Sequence, residues 1–463
     1  MFSKETYIRR REILKHEVRE GIILILGNGD MPCNYFSNTY AFRQDSSFLY
    51  YFAHNLQDLA GIIDCDENKE YLFGNDVEME NIIWTGPVDT IQKRAGQIGV
   101  ENSGSLHDLY DFIQKAIAAR RPIHFLPPYR LAQRYWISHL IHVKLPYING
   151  LASEKLIKAV VKQRSVKSEE EILEIEKAIA TAYDMHTTMM RMAAKVGTYE
   201  YEIAGRMEGI ALSGGGPVSF PIILTTHGEI LHGHDHSRPL QVGRMVVSDA
   251  GCETSENYCS DITRSVPVGG KFDQRQSDIY RIVLNANLGV MPLIKPGISY
   301  AEVHRMAYKF IAAGLKELNI IKGNTDDAVD AGAIGLFMPH GLGHMMGLDV
   351  HDMESLGEDN VGYDETYKRS SMFGFSSLRL GKELQKGYVL TDEPGIYFVP
   401  ALIDRWKAEK RCVDFINYSE IEKYRDFGGI RLEDDLLVEE HGCRVLGKPI
   451  PKTIAEIEAI MGE

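Results

Sequence analysis

The first part of the chain mixes helical and strand-like patterns of apolar residues. Residues 4–19 read as an amphipathic helix, and the apolar run Gly21-Ile22-Ile23-Leu24-Ile25-Leu26 reads as a strand that stops at Gly27-Asn28-Gly29. Ser46 to Phe52 (SSFLYYF) reads as a further strand. Ala60–Asp64 and Glu70–Phe73 flank the polar stretch Asp66-Glu67-Asn68-Lys69, which predicts a hairpin. Helices are expected over 106–120 and 129–141, with a strand at 123–126 between them. This mixture predicts an α/β domain of its own, and it contains no nucleophile motif or metal-ligand spacing.

A boundary is expected near Lys162-Gln163-Arg164-Ser165-Val166-Lys167, giving domains 1–164 and 165–463. Ser168 followed three residues later by Glu171 is a capping-box signature, here opening a well-capped surface helix over about 169–194. A second helix follows Gly197. Helices recur at 273–293 and 300–318, separated by Lys295-Pro296-Gly297. The string Gly197-Thr198-Tyr199-Glu200-Tyr201-Glu202-Ile203 matches Gly297-Ile298-Ser299-Tyr300-Ala301-Glu302-Val303, which lies 100 residues later. The match suggests two related helix-plus-sheet halves, with any site between them built from distant parts of the sequence.

At 463 residues, with 44% hydrophobic and 25% charged residues, the chain has globular composition and room for two or three cores. Its 51 basic and 65 acidic residues leave a formal charge of −14, which argues against nucleic acid or an anionic membrane as partner. The six cysteines are dispersed without a C-x-x-C pair, as expected of reduced thiols in a cytoplasmic protein. No apolar signal region or membrane-length apolar run is present.

The chemistry concentrates in Pro339–Asp352 (PHGLGHMMGLDVHD), where 14 residues hold three histidines, three glycines and two aspartates. Neutral imidazole is a common metal ligand and moves protons near neutral pH. Gly347-Leu348-Asp349-Val350 reads as a short strand. Met245–Ser248 reads as a strand running into Asp249. Cys259–Arg264 reads as its neighbour, so the hairpin would set Asp249 beside Asp261. Glu393 and Glu433 each lie in or beside another apolar run. One acid in a strand is usually a turn residue or an ion-pair partner. Four acids brought together could not all stay ionised without cations, and hard oxygens plus one imidazole suit manganese, cobalt or zinc.

The strings D-A-G…D-I-T-R-S, H-G-L-G-H…D-V-H-D, E-P-G-I-Y and R-L-E-D-D, in this order, resemble the proline-specific metallopeptidases of the pita-bread fold, the prolidase and aminopeptidase P group. The resemblance covers about residues 165–463. Phe42-Arg43-Gln44-Asp45-Ser46-Ser47-Phe48 extends it more weakly into the front domain. It implies two divalent ions, manganese first, with cobalt or zinc as alternatives. Asp249 would chelate one ion, Asp261 and Glu433 would bridge both, and His344 with Glu393 would complete the other. His232 would steady substrate, His351 would stabilise the tetrahedral intermediate, and Arg431 would hold the carboxylates from behind. Glu393 is the candidate for moving the proton of the attacking water. The Asp249–Asp261 loop is one residue longer than the commonest spacing of the family.

The implied activity is cleavage of the Xaa-Pro bond at the amino end of short proline-containing peptides. Arg379, placed to grip a carboxylate directly after proline, favours an Xaa-Pro dipeptidase, with an Xaa-Pro aminopeptidase acting on longer peptides as the alternative. A non-catalytic binding module, a metal-free creatine hydrolase and a methionine aminopeptidase are disfavoured by the filled ligand positions, the front domain and the His232/His351 pair. A homodimer or larger homo-oligomer is expected. Asp392 is expected to point away from the ions and form a salt bridge. Trp84 is expected to pack half-buried. His340 is expected to line the site, and His234 and His236 to be loop residues.

Overall fold

A computed structural model describes all 463 residues, and the chain divides into two compact units. One comprises Met1–Arg164 with Ser355–Asn360. The other comprises Ser165–Glu354 with Val361–Glu463.

The first unit is built on a mixed sheet of five strands in the order Asn102–Gly104, Lys69–Phe73, Ala60–Asp64, Ile22–Leu26 and Ile123–Phe125. The three central strands pair antiparallel, and both edge strands pair parallel. Ile22, Leu24 and Ile62 meet Leu109, Ile113 and Ile137 from the helices Leu106–Ala118 and Leu131–Ile141 on one face. Ser46–Phe52 is a helix, not the strand its sequence suggested. Its Asp45 carboxylate accepts from the Phe48 N–H at 2.8 Å, capping the first turn. All seven residues are buried, so the run has no polar side to reveal a period. Its Phe52 ring fills the space over Gly61, where a Cβ would stand 2.1 Å from the ring.

The second unit repeats one plan. The helices Glu169–Ala193 and Glu200–Ser213 pack together beside a sheet ordered Ile262–Pro267, Met245–Ala250, Ile223–Thr225. The helices Gln274–Val290 and Tyr300–Glu317 pack likewise beside a sheet ordered Val389–Asp392, Asp434–Val438, Cys443–Val445. The repeated glutamates of the sequence do the same work in both. Glu202 accepts from the Tyr199 N–H at 2.7 Å, and Glu302 accepts from the Ser299 N–H at 3.2 Å, each at the start of the second helix of its pair.

The Ser168–Glu171 capping box forms and opens a helix with one exposed face. One side of it is buried, and from there His186 bonds the carbonyl of Ala250 at 3.0 Å, directly behind the strand that carries Asp249.

Candidate metal centre

Three backbone devices bring the predicted residues to one cavity. In the hairpin of Met245–Ala250 and Ile262–Pro267, Asp249 lies opposite Thr263. Asp261 therefore sits one step before the paired strand, diagonal to Asp249, and both line the same cavity. The amide of Asp261 is tied to the Asp435 carboxylate at 3.0 Å, and the Glu433 amide donates to Thr263 O at 3.1 Å, so the two sheets are joined at the site. His344 is set by a short bridge, with its N–H on Thr391 Oγ1 at 3.2 Å and the Thr391 N–H on its carbonyl at 3.0 Å. Gly343 is required for this approach, since a Cβ there would stand 2.0 Å from the Thr391 carbonyl oxygen. Residues 347–350 form bends rather than the strand expected, held by Asp352 N–H on Met345 O at 2.9 Å.

Asp261, His344 and Glu433 place ligand atoms within 4.8 Å of one another, and all three are buried. Glu393 approaches the same imidazole at 4.0 Å, and Asp261 lies 3.4 Å from His344 Nε2. Asp249, Asp261, Glu393 and Glu433 line one cavity of about 320 Å³ with His232, His344, His351, Arg379 and Arg431. His340 lines it as expected, and so does His234, whose ring also faces the Ile222 carbonyl from its loop. His236 stays on that loop against the same carbonyl. Phe220, Pro221, Ile223, Leu231 and Val350 give the cavity an apolar wall.

The electrostatics of the cluster ask for cations. Burial, then the charges of Glu433 and Asp249, push the Asp261 carboxyl well above the usual range. Burial, then Glu393 and Asp249, do the same to Glu433. Burial raises Glu393 to about 7, against the pull of Arg431. Burial also drives His344 well below its ordinary value, so its ring is neutral. Its Nδ1 lies 3.0 Å from the Met345 carbonyl, which can only accept, so Nδ1 carries the hydrogen. Nε2 is then a lone pair facing the Asp261 and Glu393 oxygens. Asp249 Oδ1 is buried with no hydrogen-bond partner. Acceptors confronting acceptors are unfavourable until a divalent ion lies among them, so the residues present fit a metal.

A second layer of contacts fixes these groups. Arg431 reaches Asp249 Oδ2 at 2.5 Å, Thr263 Oγ1 at 3.0 Å and Tyr397 Oη at 2.9 Å with its three nitrogens. Thr263 in turn donates to Glu433 Oε2 at 2.6 Å. His340, neutral because burial lowers it to about 3, gives its Nδ1 hydrogen to Gly341 O and accepts from Tyr397 Oη at 2.9 Å. Thr263 and Tyr397 were not singled out in the sequence, although both stand inside the strings D-I-T-R-S and E-P-G-I-Y. His351 Nδ1 donates to Glu354 Oε2 at 2.5 Å, and the His351 and His344 rings stand 4.3 Å apart. Arg379 lies 3.5 Å from the same Glu354 oxygen.

Two expectations are corrected. Asp392 makes no salt bridge: it is buried, and Asn287 donates to its Oδ2 at 3.1 Å. The nearby Lys452 ammonium is taken up by Asp434 Oδ2 at 2.5 Å and Asn287 Oδ1 at 2.6 Å. Trp84, on the short helix Met79–Thr85, is not half-buried but 86% exposed.

Comparison with known proteins follows the same lines. Residues 174–440 match the model of metallopeptidase family M24, and residues 7–124 match the aminopeptidase P N-terminal domain. The chain is 32% identical over 457 residues to the Xaa-Pro dipeptidase of Homo sapiens, covering 96% of this chain and 89% of that one. It is 30% identical over 424 residues to a probable Xaa-Pro aminopeptidase of Fusarium vanettenii, covering 91% and 87%. Its fold matches the aminopeptidase PepP of Pseudomonas aeruginosa with a TM-score of 0.82 at 26% identity, over 100% of this chain and 98% of that one. Aminopeptidase P of E. coli with the inhibitor Pro-Leu matches with a TM-score of 0.78, at 26% identity over the same shares. The architecture is thus the α/β pita-bread fold preceded by a smaller α/β domain, and the chain belongs to metallopeptidase family M24.

Proposed function

We propose that this enzyme cleaves the Xaa-Pro bond at the amino end of short peptides, with the Xaa-Pro dipeptide as preferred substrate and residues 165–463 as the catalytic domain behind a front domain of 1–164. The observation that carries the dipeptide reading is Arg379. It lines the same cavity as the carboxylate cluster, where a guanidinium can bind a carboxylate that directly follows proline. The likeness to Xaa-Pro dipeptidases over nearly the whole chain supports it. Cleavage of longer peptides is the second reading, favoured by the solved aminopeptidases P, one of them holding Pro-Leu.

Asp249, Asp261, His344, Glu393 and Glu433 would hold two divalent ions. Manganese is the first choice and cobalt or zinc the alternatives, because the donors are mostly hard oxygens. When bound, such ions activate a water and polarise the scissile carbonyl. Glu393 takes the proton of the attacking water and passes it to the proline nitrogen, which as a tertiary amide has no hydrogen of its own. His351 and His232 donate hydrogen bonds to the oxygen where negative charge develops. Arg431 holds Asp249 in place while Thr263 orients Glu433. The apolar wall of Phe220, Pro221 and Leu231 suits a proline ring.

The free state of all six cysteines supports a cytoplasmic setting, and no helix is long and apolar enough to cross a membrane. A homodimer or larger homo-oligomer belongs to the same proposal and is checked by light scattering. The deciding experiment supplies manganese-loaded protein with Gly-Pro and Gly-Pro-Pro side by side. Cleavage of the dipeptide alone supports the dipeptidase, cleavage of the tripeptide alone supports the aminopeptidase, and cleavage of neither overturns both.

A further inference from the structure

One carboxylate oxygen in the cavity region serves two groups. Glu354 Oε2 accepts from His351 Nδ1 at 2.5 Å and lies 3.5 Å from Arg379 Nε. The three side chains are each about one third exposed, so none is locked in the core. The contact with His351 comes first, and it holds the Glu354 carboxyl below the usual range. His351 and Arg379 both line the cavity, whereas Glu354 stands behind them.

We infer that Glu354 is a specificity-determining and positioning residue, orienting His351 while its charge offsets that of Arg379 and weakens the hold on a substrate carboxylate. The inference rests on the proline-specific reading and names a device within it. A substrate carboxylate bound at Arg379 meets an attractive guanidinium with an anion of the protein already beside it, and like charges at that range repel. A peptide whose chain continues past proline, or ends in an amide, brings no charge to that point and is indifferent to Glu354. The bond to His351 works differently. It fixes the ring by its Nδ1 hydrogen and so aims Nε2, which affects every substrate alike.

The test uses the manganese-loaded full chain, with whichever of Gly-Pro and Gly-Pro-Pro the wild type cleaves as reporter. Affinities for Gly-Pro and for Gly-Pro amide are read as KM or as inhibition constants. Glu354→Gln keeps an oxygen for His351 and removes the charge. It is expected to strengthen Gly-Pro at least threefold relative to the amide. Glu354→Ala also removes the acceptor and is expected to lower kcat on the reporter at least tenfold, with the Gln variant recovering most of that loss. A ratio of the two affinities unchanged within twofold in Glu354→Gln, or shifted toward the amide, overturns the inference. So does an unaltered kcat in Glu354→Ala. A wild type that cleaves neither peptide overturns the proline-specific reading and this role with it. A wild type that cleaves, with variants that keep the ratio, overturns this role alone.

Discussion

The ammonium of Lys167 lies 2.9 Å from the carboxylate of Asp352, and neither side chain meets solvent. Asp352 directly follows His351 and holds the bend at 347–350. Lys167 donates its backbone N–H to Gly387 O at 2.8 Å, so the pair ties the His351 segment to the body of the second unit. Lys167→Met strands a buried anion and is expected to cost about 3–5 kcal/mol in chemical denaturation. The pairwise replacement of Lys167 and Asp352 by Met and Leu should cost much less. Its remaining defect should lie in kcat, through a looser His351.

Removing one carboxylate of the cluster should separate metal binding from stability. Asp261→Asn relieves the repulsion that pushes Asp261, Glu433 and Glu393 upward together. Metal-free Asp261→Asn should therefore melt no lower than the metal-free wild type. Metal content by elemental analysis should fall, and turnover should drop at least about a thousandfold, roughly 4 kcal/mol of barrier.

Manganese should stabilise the protein more at pH 8 than at pH 6. In the metal-free fold Glu393 is raised to about 7, above its unfolded value, so its contribution is present at low pH and is lost as pH rises through 7. The ion requires the ionised carboxylate and so competes with protons below that pH. The measurement is the Tm increment on adding manganese at each pH. An increment that shrinks from pH 6 to pH 8 would contradict the assignment. Calorimetry in buffers of different ionisation enthalpy should show proton release on binding near neutral pH.

Tyr397→Phe removes one hydroxyl that accepts from Arg431 and donates to His340. Arg431 is buried and His340 partly so, and the loss is expected to be about 1–3 kcal/mol of stability. A fall in kcat should accompany it as Asp249 loses its fixed support. KM for Gly-Pro should change little. Arg379→Ala should show the opposite pattern, raising KM for Gly-Pro far more than the affinity for Gly-Pro amide changes.

Much of the site could be read from the chain because its acids stand in apolar surroundings where an unpaired charge has no other reason to be. Asp249 after Met245-Val246-Val247-Ser248, and Glu393 after Val389-Leu390-Thr391-Asp392, are of that kind. The halves could be read too, since Glu202 and Glu302 cap equivalent helices. What failed were features set by tertiary neighbours. Ser46–Phe52 is buried on every side, so no apolar period separates helix from strand there. Asp392 looks like an ion-pair partner until Asn287 is seen to reach it and Asp434 to take the lysine. Glu354 lies in a polar run with no motif, and only the folded backbone sets it against His351 and Arg379.

The cluster of Asp261, His344 and Glu433 draws on three well-separated points of one polypeptide. A growing chain on the ribosome that has not yet released residue 433 can offer an ion only some of these groups. Ions captured by such incomplete chains would be held weakly and exchanged. The complete donor set therefore exists only once the second half of the chain has been made.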